Sequence, residues 1–194
     1  MTRKAAVVLV AVALAGQAAL AQPDSRNSFP GRRVGGGTRG ACTSRLIAHL
    51  APENNIQHVS PAGPVRLAVL QGPTSEPYPL QIALDGRPSI QLPASPAGVV
   101  VIRVPPIGSD TRWQSSYVCP AGISDADDPL NFVVAAAPPA LSLLRPSSDI
   151  DDQLPGWLSR CGGSVDVAEI NQWLGVEALP GEWPQQLSVR CEGG

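Results

Sequence analysis

Between residues 64 and 137 apolar positions recur in short runs, each closed by Pro, Gly or Asp: PVRLAVLQ (64–71), PLQIALD (79–85), SIQLP (89–93), GVVVIRVP (98–105), SSYVCP (115–120) and LNFVVAAAP (130–138). Val65, Leu67 and Val69 alternate with Arg66, Ala68 and Leu70, and Leu80, Ile82 and Leu84 alternate with Gln81 and Ala83. That period of two predicts half-buried strands, and the even spacing of the runs is that of a β-sandwich. Asp85-Gly86 fits a hairpin turn. No stretch of crossover-helix length separates the runs, so the expected arrangement is antiparallel.

The flanks read differently. In CTSRLIAHLAPEN, Leu46, Ile47 and Leu50 fall at helical spacing before Pro52, which predicts a short helix with Thr43 or Ser44 as its cap. In SVDVAEINQWLG, Val165, Val167, Ile170 and Leu174 approach the helical period and Gly175 provides a stop; Ser148 with Asp151 suggests another helix start. Pro155, Pro180 and Pro184 keep these tail elements short. The expected class is mainly β: an antiparallel β-sandwich-like domain at 42–137, preceded by a short helix and followed by a helical or irregular, disulfide-stapled segment at 138–194. Residues 22–41 are polar and rich in Gly and Arg, and read as an extended or flexible arm.

The first 21 residues change the compartment. MTRK is positive, AAVVLVAVALAG is apolar but short for a bilayer span, and Ala19-Leu20-Ala21 is a small-x-small cleavage pattern. This is an export signal, with a soluble mature chain expected to begin near Gln22 and to sit in the periplasm or outside the cell. Removing Arg3 and Lys4 leaves 12 basic side chains against 16 acidic ones, and no lysine. Such a surface argues against nucleic acid and against anionic membranes, and Schiff-base chemistry is excluded.

In an oxidising compartment four cysteines, Cys42, Cys119, Cys161 and Cys191, imply two disulfides with three possible connectivities. We expect Cys42–Cys119 and Cys161–Cys191, which would contribute about 4.5 and about 3.7 kcal/mol on the chain-entropy account. With 21 prolines, 19 glycines and only eight aromatics, a modest core gives those staples unusual weight.

GRRVGGGT (31–38) lacks only the lysine of a phosphate-binding loop, with Gly37 in its place. Gly37 cannot bridge phosphates, no strand is predicted before Gly31 and no long helix after Thr38, so no nucleotide site is expected. The glycines suit a close backbone approach or a positive φ ahead of Cys42.

PGRRVGGGTRGAC, then LIAHLAPEN and later RWQSSYVC, resemble the domain of unknown function family 928, a group of exported, mostly cyanobacterial proteins, over about residues 30–134. The matching motif comprises Gly31, Arg32, Gly35, Gly36, Gly37, Thr38, Arg39 and Gly40. The resemblance supports the Cys42–Cys119 pairing and the strand-rich middle, and implies no activity or catalytic residue. VRLAVL departs from it, standing where members carry an aromatic-rich strand.

Candidate chemistry is sparse. His49 and His58, with Glu53 between them, do not have zincin spacing and read as surface histidines flanking a turn. No G-x-S-x-G elbow supports a Ser-His-Asp triad. The acidic clusters Asp125, Asp127, Asp128 and Asp149, Asp151, Asp152 fail the EF-hand pattern and read as solvated loops, an irregular calcium site being the alternative. Trp113, Tyr117, Trp157, Trp173 and Trp183 read as core plugs. The function these features point to is a non-enzymatic binding or assembly module of the cell envelope, without cofactor or metal, its partner an unidentified envelope protein or glycan. The competing reading is an envelope hydrolase using a carboxylate pair such as Asp127 with Asp151, which needs the two acids within about 10 Å.

Overall fold

The computed structural model describes residues 34–35, 42, 45–52, 54–119, 139–148, 150 and 154–192. The expected leader, most of the arm, the run at 130–138, the helix start at Ser148 with Asp151 and both acidic clusters fall wholly or partly outside them. The fold is mainly β. Its strands are β1 (Val34–Gly35), β2 (Ile47–His49), β3 (Ile56–Val59), β4 (Val65–Gln71), β5 (Leu80–Leu84), β6 (Ile90–Leu92), β7 (Gly98–Val104), β8 (Thr111–Tyr117), β9 (Ala140–Pro146), β10 (Ser164–Asp166) and β11 (Gln186–Glu192). One helix, α1 (Val167–Leu174), and a 3₁₀ turn (Gly156–Ser159) complete the described elements.

The strands form a six-stranded sheet in the order β1-β2-β4-β7-β11-β10 and a five-stranded sheet in the order β3-β9-β8-β5-β6. Inward side chains of both sheets share one core: Leu67, Val69, Val100 and Ile102 from the first meet Leu80, Ile82, Trp113 and Leu144 from the second. The six-stranded sheet also buries its other face. There Ala68, Leu70, Val99, Val101, Leu187 and Val189 pack against Trp157, Leu158, Ile170 and Leu174. That double burial explains why VRLAVL and VVVI are nearly unbroken apolar runs, whereas β5 alternates buried with half-buried positions on a sheet covered on one side. Each fully buried Val, Leu or Ile contributes about 1.5–3 kcal/mol, so the two middle strands anchor the fold.

Several expectations are corrected. Residues 47–49 form a strand, not part of a helix: Ile47 pairs with Gln71 and His49 with Val69. The spacing of Leu46, Ile47 and Leu50 imitates a helix because this strand, too, is buried on both faces. The tail stretch read as helical or irregular supplies β9 to one sheet and β10 and β11 to the other. Its helix begins only at Val167, because Ser164–Asp166 pairs with β11. The Asp166 carboxylate accepts from the Ala168 N–H at 2.8 Å, capping α1. Gly175 stops it in the left-handed conformation at φ 70°.

Most strand pairs are antiparallel, but β3–β9 and β7–β11 run parallel. At the second of these, an added Cβ on Gly98 would lie 2.9 Å from the Ser188 carbonyl oxygen. Only glycine admits β11 at that distance. β5 and β6 form the expected antiparallel hairpin, with Gly86 at φ 73°.

Candidate functional site

All four cysteines are paired, Cys42 with Cys119 (Cα–Cα 5.8 Å) and Cys161 with Cys191 (Cα–Cα 5.3 Å). The first bridge ties the segment before β2 to the end of β8, joining the two sheets. The second fastens β11 to the loop that follows the 3₁₀ turn. Of the glycine-rich motif, Gly35 pairs with Ile47 through β1. Gly31, Arg32, Gly36, Gly37, Thr38, Arg39 and Gly40 lie outside the described residues, as do Asp125, Asp127, Asp128, Asp149, Asp151 and Asp152.

The structure brings together two polar clusters between the sheets. One is centred on His49, which is wholly buried and not the surface residue expected. Its Nδ1 is hydrogen-bonded to Ser142 Oγ of β9 at 2.8 Å and its Nε2 to Ser115 Oγ of β8 at 2.7 Å. The ring stacks on Trp113, centroids 3.5 Å apart and planes 8° from parallel. Burial pushes the imidazole pKa well below its ordinary value. The neutral ring therefore donates to one serine and accepts from the other, and both nitrogens are spent. A histidine in that state bolts two sheets together and has no nitrogen left to move a proton. His58 lies on β3 and is half-buried.

The second cluster lies where β4 ends and β7 begins. Arg45 is buried; its Nε donates to the Gly72 carbonyl at 2.7 Å and its Nη2 to the Ser95 carbonyl at 2.8 Å. Its guanidinium sits over the Tyr117 ring, 4.7 Å from the centroid. From β11, Arg190 reaches the same residue: its Nη2 donates to Ser95 Oγ at 2.6 Å, and that hydroxyl donates to Gln71 Oε1 at 2.6 Å. Tyr117 Oη donates to the Leu46 carbonyl at 3.1 Å. Burial lowers the pKa of both arginines, and burial raises that of Tyr117, which stays a neutral phenol.

No carboxylate among the described residues is ion-paired with either arginine. Among the described residues the one ion pair is Arg145–Asp110, on the surface. The Glu192 charge works against the lowering of the Arg190 pKa by burial. Arg45 Nη1 and Arg190 Nε are buried without a hydrogen-bond partner. Buried polar groups are nearly always satisfied, so two such orphans on cations converging on one serine are exceptional.

Sequence reasoning missed both clusters. Ser115 and Ser142 stand 66 and 93 residues from His49, and Ser95 and Arg190 are 50 and 145 residues from Arg45, so no local motif links them. The one available signal was polar residues at inward strand positions, Gln71, Ser115 and Ser142. Trp113 and Trp157 are buried, as expected of core plugs. No family model matches the chain, and neither a curated protein nor a solved structure matches it.

Proposed function

We propose that this protein is an exported β-sandwich module of the cell envelope that acts by binding or assembly and not by catalysis. The observation that carries the reading is the pairing of all four cysteines into two bridges with no free thiol. Bridges of this kind persist in oxidising compartments. The basic, apolar and small-residue pattern of 1–21 supports the same address, as does the resemblance of PGRRVGGGTRGAC to an exported family. The binding half of the proposal draws on the sealed state of His49 and on the open hydrogen-bonding capacity at Arg45 and Arg190.

The test is expression of the full chain with its own leader in a bacterial host, followed by fractionation and maleimide labelling under denaturing conditions. The reading expects an exported chain starting near Gln22, unlabelled before reduction and labelled at four thiols after it. A full-length cytosolic chain that labels without reductant contradicts it.

A further inference from the structure

We propose that the Arg45–Arg190 cluster is a binding site for a carboxylate, held by Arg45 Nη1 and Arg190 Nε together. The inference names the ligand chemistry of the binding role above and rests on that reading. Three observations converge. The two nitrogens without acceptors belong to different guanidinium groups, both anchored on Ser95, one on its carbonyl and one on its hydroxyl. Gly72 and Ser95 fix Arg45, Tyr117 lies under its plane, and the Ser95 hydroxyl that takes Arg190 Nη2 is itself held by Gln71. The planar fork of Arg45 is therefore already oriented, which is what oxyanion recognition requires.

Charge sets the ligand class. Two cations meet in the cluster and, among the described residues, no carboxylate is ion-paired with either, so the site calls for an anion. The two unmatched nitrogens suit the two oxygens of a carboxylate, one to each arginine. Entry is from the Arg190 side, where Arg190 and Tyr117 are partly exposed, while Arg45 and Ser95 form the floor.

The experiment is a titration of the purified, disulfide-intact mature protein with sodium formate against sodium chloride at equal ionic strength. Binding is followed by calorimetry and by melting temperature. Formate at one hundred times its Kd should raise the melting temperature on the order of 5–10 °C over chloride. Arg190→Met should weaken formate binding at least tenfold while leaving a cooperative melt. Arg45→Gln, which keeps one donor for the Ser95 carbonyl, should weaken it as much and serves as the second variant. An acetylated, amidated tetrapeptide whose sole carboxylate is an Asp side chain forms a second arm. Tighter binding of the peptide than of formate assigns a polypeptide carboxylate, and equal or weaker binding a small free one. No binding in either arm, binding unchanged in both variants, or tighter binding of phosphate than of formate overturns the proposal. Export and thiol state are read separately, so a failed titration leaves the envelope reading intact, and a cytosolic chain leaves the titration valid.

Discussion

Arg45 and His49 stand four residues apart, and both are buried at the seam between the sheets. They resolve that burial in opposite ways. His49 gives up its charge, stacks on Trp113 and spends both nitrogens on serines of the facing sheet. Arg45 cannot give up its charge at any ordinary pH. It rests on carbonyls and an aromatic face, beside a second arginine, with one nitrogen unmatched. The contrast separates a polar group placed for cohesion from one placed for recognition. A complete partner set leaves nothing to offer, whereas an incomplete one on a charged group is costly unless something arrives to complete it.

The largest expected effect falls on the cohesive side. His49→Ala removes the stacked ring, opens a cavity and orphans two serine hydroxyls, and should cost about 3–5 kcal/mol in denaturant unfolding. A loss below about 1 kcal/mol would mean that the clamp is ornamental. Ser142→Ala leaves one ring nitrogen unpaired and should cost about 1–3 kcal/mol by the same measurement.

The two sites should also part company with pH. The His49 pKa is lowered in the folded state, so below the ordinary histidine value near 6.5 the unfolded chain binds the proton that the folded chain refuses. This group's contribution is fully present above that pH and is lost as pH falls, by up to about 1.4 kcal/mol per pH unit until the folded pKa is reached. The difference between wild type and His49→Gln, followed from pH 7.5 to 5, isolates it. A parallel pair of stability curves would contradict a neutral, sealed histidine. Arg190→Met gives the smallest effect on stability, under about 1 kcal/mol, because the side chain is partly exposed and its removal relieves repulsion on Arg45. A loss of 2 kcal/mol or more would place Arg190 among the cohesive groups.

Legibility in the sequence followed the same divide. Strands β4 to β7 were visible because their apolar runs are dense and bounded, and Asp85-Gly86 marked the hairpin. Cysteine parity made two bridges visible. Strand β9 was not, because its inward positions are Ala140, Ser142 and Leu144, and the serine that breaks the alternation is there to meet His49. Strand β11 carries the inward alternation Leu187 and Val189, but the surrounding prolines and the nearby helix period concealed it. LIAHL misled because double burial erases the period of two, and with that the surface placement of His49 failed as well. The arginine cluster stayed hidden because its members meet only once β4, β7 and β11 are adjacent.

The most direct test of the contrast follows both side chains in one sample. Nitrogen-15 spectra of the labelled, disulfide-intact protein, recorded during a formate titration at pH 7, report the Arg190 Nε–H and the His49 ring nitrogens separately. The account predicts a saturable shift of the Arg190 Nε–H, with the His49 nitrogens fixed at the values of a neutral imidazole throughout. An Arg190 Nε–H that does not respond, or His49 nitrogens that follow the formate, would contradict the division between a sealed clamp and an open site.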